Sequence, residues 1–312
     1  EEYDTEKHHF HKREHEGKPS DGYLCVKCHM PGRTYMGVDY RPDHSLRIPR
    51  PDLSLKIESP NSCSAQGCHD NKPAAWSAEH YTKWYGEKRK PHYGEIFAGA
   101  RKRNPESGKE LVKLVNDGLS PVIVRATALS LLNGYPGDES EATFQRALQD
   151  PEGLLRYTAI RSMGPVSQQT LLSLIAPKLY DELKAVRMEA AVRLAAIPES
   201  SLRRDDRDAF KQALAEYRQA MLYNADFAPQ RYNLGNLAIS QGDSETGISL
   251  FEQALQIDEL FFPAKVNLAM ELNRRGDNDR AAKLLREAFN QNPQHYEIAY
   301  SLGLLLAEMD NL

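Results

Sequence analysis

Cysteine is absent from every position beyond Cys68, and only one of the ten histidines, His295, lies past residue 92. A disulfide framework is therefore excluded over most of the chain, and all soft metal ligands are concentrated near its start. Long apolar runs are missing as well. None approaches the roughly 20 residues that a membrane-spanning helix needs. There is no excess of basic charge: 40 Lys and Arg stand against 44 Asp and Glu, a net charge of −4. That balance argues against a nucleic-acid partner. The opening EEYDTEKHHF has no basic stretch followed by an apolar core, so no secretory leader is expected in it. A Ser-His-Asp set, a phosphate-cradling glycine loop and a paired-carboxylate site are all lacking.

The first hundred residues have little helical periodicity and many breakers, among them KPSDG, MPGRT, YRPDHS, IPRPD and SPNS. X-Pro pairs push the chain toward extended and turn conformations, leaving too little apolar surface for a self-sufficient core. Something else must fill the interior. One helix is expected in AAWSAEHYTKWYGEKRK, where Trp76, His80 and Trp84 recur at i, i+4 and i+8, laying an aromatic face on whatever that is.

Two short motifs in this segment end alike. CVKCH supplies Cys25, Cys28 and His29; CSAQGCH supplies Cys63, Cys68 and His69. A c-type haem needs two thiols for thioether bonds to its vinyl groups and a histidine after the second thiol as its proximal ligand. A four-residue spacer bulges the loop between the thioethers. Zinc could also use four cysteines, but it does not require a histidine after each pair. Two disulfides are a third option, without a thioredoxin-like setting to support it. The haem reading, two haem c groups in this chain, also explains the surplus histidines, since a low-spin haem takes a second axial ligand. His44 is a candidate because prolines fix the chain on both sides of it. His11 in HHFHK is another, with His9 as its substitute. Met30 and Met36 are weaker ones, and His15 and His295 read as surface residues. Arg33, Arg41, Arg47 and Arg50 suit haem propionates or plain solvation.

From about residue 108 the texture turns helical. Arg125, Arg156 and Arg187 stand 31 residues apart in VRATAL, LRYTAI and VRMEAA, each opening an apolar helix after an acidic or Pro-containing turn. Such a period suits a HEAT-like α-solenoid, with a plain helical bundle as the alternative. Farther on, Leu234, Leu268 and Leu302 stand 34 residues apart, as do Ala254 and Ala288. Together with Gly235, Ala238, Gly242, Gly247 and Phe251, they match the tetratricopeptide (TPR) pattern in period and residue type. AFKQALAEYRQAM fits the second helix of a preceding unit. The apolar YSLGLLLAEM near the end wants a partner on both sides.

The string HHFHK…CVKCHMPGRTYM…DHSLRIPRPDLS…CSAQGCH…PHYGEIFAGAR resembles the bacterial multihaem cytochromes c that carry C-terminal HEAT-like and TPR repeats. The resemblance covers essentially the whole chain; the C-x₄-C-H spacer departs from the family's usual C-x-x-C-H. It adds His92 to the distal-ligand candidates and gives His44 further weight. It also implies a longer parent chain, or a further haem domain or subunit on the N-terminal side. The expected fold is mainly α: an irregular, haem-packed cytochrome region over 1–105, HEAT-like repeats over 106–200 and TPR repeats over 201–312. The expected function is electron transfer, with the solenoid docking a redox partner protein. Haem attachment outside the cytoplasm would place the protein in the periplasm or outside a bacterial cell. The alternatives are an oxidoreductase acting on a small nitrogen or sulfur compound at an open haem, with Lys27 and Tyr35 as proton donors, and a zinc-clipped TPR scaffold without redox activity.

Overall fold

A computed structural model describes residues 3–64 and 67–309. The chain falls into two compact units, one ending at Asp117 and one beginning at Gly118.

In the first unit the elements are short, as the density of breakers predicts. A one-turn helix α1 (Glu6–His9) is followed by the antiparallel pair β1 (Glu14–His15) and β2 (Lys18–Pro19), then by α2 (Cys25–His29). A hairpin of β3 (Gly32–Tyr35) and β4 (Asp39–Pro42) follows, with Gly32 opposite Pro42 and Tyr35 opposite Asp39. Its turn runs through Met36 and Gly37, both at positive φ. Four helices complete the unit: α3 (Pro51–Ile57), α4 (Ala74–Tyr85), α5 (Tyr93–Arg101) and α6 (Ser107–Asn116). None of the described residues before Pro51 is buried. The unit's apolar core is Leu53, Ala78, Phe97 and Ala100 together with Leu111, Val112, Leu114 and Val115 of α6.

The second unit is all helix: α7 (Val122–Leu132), α8 (Asp138–Ala147), α9 (Gly153–Ser162), α10 (Gln168–Leu174), α11 (Lys184–Leu194), α12 (Arg204–Tyr223), α13 (Ala228–Ser240), α14 (Ser244–Ile257), α15 (Phe262–Arg274), α16 (Asn278–Gln291) and α17 (Tyr296–Glu308). The 31-residue arginine period is an ionic ladder. Arg125 reaches Asp150 at 2.7 Å, Arg156 reaches Asp181 at 2.7 and 2.9 Å, and Arg187 reaches Glu216 at 2.8 Å. Arg156 also donates to the Asp150 and Pro151 carbonyls, and Arg187 to those of Asp181 and Glu182. Each of these two guanidiniums thus satisfies a turn's orphan carbonyls while it ties one repeat to the next. α7 packs on α9, α9 on α11 and α11 on α12.

In the last repeats α13 pairs with α14 and α15 with α16. Gly235 is required on α13 because a Cβ there would stand 2.6 Å from the Phe251 ring, which is 1% exposed. Gly242 and Gly276, 34 residues apart, both sit at φ +81 and end the first helix of their pairs, the left-handed turn that glycine adopts without strain. Asp243 and Asp277 follow, and their amides close back on the Ala238 and Leu272 carbonyls. Leu268, Leu272, Ala281, Ala282, Leu285 and Phe251 form one continuous core, joined by Leu305 of α17. No helix among the described residues is long and apolar enough to cross a membrane.

Two outcomes follow from this packing. Gly235→Val overpacks the Phe251 seam and is expected to cost about 1–3 kcal/mol in urea unfolding, whereas Gly303→Ala on α17, where a Cβ meets nothing within 4 Å, is expected to be close to neutral. Asp181 is 6% exposed in its pair with Arg156. Burial alone would raise its carboxyl, but the Arg156 guanidinium and the Leu183 amide overcome that and hold its pKa below the usual value. The pair therefore adds stability above about pH 4, and that increment is lost as pH falls through the depressed pKa. Arg156→Ala is expected to cost about 3–5 kcal/mol near neutral pH and to flatten the stability–pH curve below about pH 5, checked by urea unfolding at stepped pH.

Candidate thiol and imidazole centre

The CVKCH stretch is a single helix, α2, so Cys25 and Cys28, three residues apart, share a face. Lys27 is tied to Asp21 at 3.0 Å, which fastens α2 to the preceding 3₁₀ turn. His29 is fixed by two bonds to one residue: its ring Nδ1 lies 2.8 Å from the Arg47 carbonyl, and the Arg47 amide donates to the His29 carbonyl at 2.9 Å. With Nδ1–H donating to a carbonyl, Nε2 is the ring's lone-pair nitrogen.

Cys63 lies in a 3₁₀ turn, Ser62–Ser64, which packs against α2. The Asn61 side chain holds that turn, accepting from the Cys63 and Ser64 amides and donating to Ser54 on α3. The His69 amide then closes back on the Cys63 carbonyl at 3.0 Å. The middle of the four-residue spacer, Ala65 and Gln66, lies outside the described residues. Cys25 and Cys68 are exposed, while Cys28 and Cys63 are half-buried. Burial, with the neighbouring thiols, pushes Cys28 up to about 11, and burial raises Cys63 too. Both are therefore neutral thiols at physiological pH. Burial lowers His69, with His11, His80 and Lys72 adding to the effect, and this favours the neutral imidazole that a ligand must be.

Helix α4 lays its aromatic face on this centre, as its spacing predicts. Trp76 stands 4.7 Å from His69 and 4.1 Å from His80 between ring centres. Trp84 stacks on Phe10 at 4.8 Å and meets His11 edge-on at 5.9 Å. The Tyr85 hydroxyl donates to the His8 carbonyl. The N-terminal HHFH is thereby pinned across both Cys-His motifs, with the His8 ring facing His29 at 6.2 Å and the His11 ring facing His69 at 6.2 Å.

Of the expected distal candidates, His11 is brought to a Cys-His motif. His9 lies 6.5 Å from His11, and its Nδ1 accepts the His11 amide. His44 is exposed on the segment after β4. His92 is the N-cap of α5, its Nδ1 accepting from the Gly94 amide at 3.0 Å. His8 is the residue the sequence reading passes over; its signal is the density of histidines in HHFH, which does not say which of them turns inward. Among the arginines, Arg41, Arg47 and Arg50 pair with Asp39, Asp43 and Asp52. Lys27 is held by Asp21, and Tyr35 lies under the Arg41 guanidinium at 5.3 Å, so both expected proton donors already have partners.

No protein-family model matches the chain, and no curated protein matches it. Among solved structures it is similar to the crystal structure of a thermophilic TPR protein from Thermus thermophilus, with a TM-score of 0.39 and 21% identity over 66% of this chain and 99% of that chain. The expectation of metal, haem and iron binding is corrected as far as protein donors alone are concerned. Among the described residues no group of three or more His, Cys, Asp or Glu side chains could hold a metal ion. A centre built from protein donors alone, the zinc clip included, is therefore not formed among the described residues. The paired helices α13–α14 and α15–α16 are TPR-like in their own packing; the comparisons support neither a cytochrome nor a HEAT designation.

Proposed function

We propose that the chain is a helical-repeat scaffold whose second unit docks a partner protein, and whose first unit presents two thiol pairs for covalent attachment of haem c. TPR-like repeats commonly mediate protein–protein contact, and the Gly235–Phe251 packing supports that half of the reading. The cofactor half is carried by one observation. Cys25, Cys28 and His29 occupy one helical turn, with the His29 Nδ1 bound to the Arg47 carbonyl and Nε2 left as the lone-pair nitrogen. A haem brings four nitrogens of its own, so it needs two thiols and one or two imidazoles where a bare ion needs three or four protein donors.

The surroundings fit such a group. The described residues before Pro51 bury nothing, and a large apolar plate would supply the interior they lack. In the attachment chemistry, each thiol would add its S–H across one vinyl double bond, sulfur to the α-carbon and hydrogen to the β-carbon. Nothing is oxidised and nothing leaves. Cys28 and Cys63, kept neutral by burial, carry the proton this addition uses. When bound, haem would supply a one-electron carrier; His29 would hold one haem and His69 the other, and Trp76 and Trp84, packed against His69 and His11, would keep water from that site. Electron transfer with the docked partner, and a location outside the cytoplasm where such attachment is made, belong to the same proposal.

A second reading has its own support: the ordered apolar core lies mainly in the repeats, which would serve a scaffold without any redox group. The two separate on one experiment. Protein produced alongside haem-attachment machinery is denatured fully and run on a denaturing gel, with haem per chain counted on the unfolded protein. Two equivalents that stay with the chain are expected, falling to one in Cys63→Ala/Cys68→Ala. A colourless chain with four free thiols would leave the plain scaffold.

A further inference from the structure

Resting on the haem reading above, we infer that His8 is the second axial ligand opposite His29 and His11 the second axial ligand opposite His69, so that one short segment completes both sites. Two separations carry this. His8 and His29 stand 6.2 Å apart between ring centres with planes 8° from parallel; His11 and His69 also stand 6.2 Å apart, with planes at 39°. Two nitrogen–metal bonds of about 2 Å each, plus the distance from each nitrogen to its own ring centre, come to roughly 6 Å. Both proximal histidines thus have a partner at the distance two imidazoles keep across one shared ion.

Hydrogen bonding sorts the histidines the same way. The His11 Nδ1 lies against the His9 carbonyl and donates to it, as the His29 Nδ1 does to Arg47; both rings keep Nε2 for a metal. His9 and His92 are the reverse. Their Nδ1 atoms accept backbone amides, which puts the ring proton on Nε2 and removes it as a ligand. The His80 Nδ1 donates to the Trp76 carbonyl, so its Nε2 carries the lone pair, but its ring stands against Trp76 and Trp84, not against His29 or His69.

The segment is built for this division. Phe10, between the two ligands, adopts φ +56 at the end of α1, a conformation that bulky residues take rarely and mostly at functional sites. The turn sends His8 and His11 to different motifs, and Phe10 itself is clamped on Trp84. Gly22 leaves the space that the His11 ring occupies, since a Cβ at that position would overlap the ring. His11 therefore has a built seat.

The test uses the matured, full-length protein reduced with dithionite and exposed to carbon monoxide, which binds only where an axial position is open. The wild type is expected to show no shift. His8→Gly and His11→Gly are each expected to shift half of the haem absorbance, the double variant all of it, with added imidazole reversing each shift. Gly22→Val is expected to reproduce the His11→Gly shift. As a second readout, His8→Met is expected to introduce the near-infrared methionine-to-ferric-haem charge-transfer band, which requires residue 8 to face the metal. The inference is overturned if His8→Gly and His11→Gly stay insensitive while His44→Gly or His80→Gly opens a site, or if the wild type itself binds carbon monoxide. A wild-type chain that carries no haem overturns the underlying reading instead, and is seen before any variant is made.

Discussion

The described residues before Pro51 contain both histidine-rich HHFH and the first Cys-His motif, yet none of them is buried. Order there has to come from directional contacts, and these converge on the imidazoles: Arg47 on His29, Asn61 on the turn that carries Cys63, and Tyr85 and Trp84 on the segment around Phe10. Hydrogen bonds exposed to water each add only about 1 kcal/mol, so such a framework is poorly sustained without something to pack against. A flat apolar group held through thioethers and imidazoles, as proposed above, would resolve that deficit. The same constraint explains why α4 is spaced with Trp76, His80 and Trp84 on one side: it is the only long helix lying over the motifs among the described residues.

The second unit obeys different physics. Its stability is the sum of near-identical interfaces, each made by small residues that let helices approach and by one bulky residue that fills the seam, as Gly235, Ala238, Ala254 and Phe251 do. The arginine–carboxylate ladder of α7 to α12 performs the equivalent task where the seams are less regular, binding side chain and turn carbonyls at once. A repeat unit of this kind has its own core, which would let the proposed docking and redox roles be separate properties of one chain.

How far the sequence disclosed this depended on the range of the interactions. The helix pairs α13–α14 and α15–α16 were legible because Leu234, Gly235, Gly247 and Phe251 act within one unit, so the 34-residue period exposes them directly. The arginine period was legible as a repeat, but its purpose was not, since Asp150, Asp181 and Glu216 sit a helix away. In the first unit, C-x-x-C-H and C-x₄-C-H were visible as text, while the choice among eight other histidines was not. His8 reaches His29 only because Phe10 turns left-handed and Tyr85, 77 residues on, anchors the His8 carbonyl. His92 drew attention through the family resemblance; in the structure it caps a helix start instead. The zinc clip was only an alternative in the sequence, and among the described residues no group of three or more His, Cys, Asp or Glu could hold such an ion.

The most direct test of the account is a density map of the matured protein that resolves side chains. The account predicts planar density between the His8 and His29 rings and between the His11 and His69 rings, continuous with the sulfurs of Cys25, Cys28, Cys63 and Cys68. Free thiols or disulfides with no such plane, or four sulfurs gathered on one ion, would contradict it.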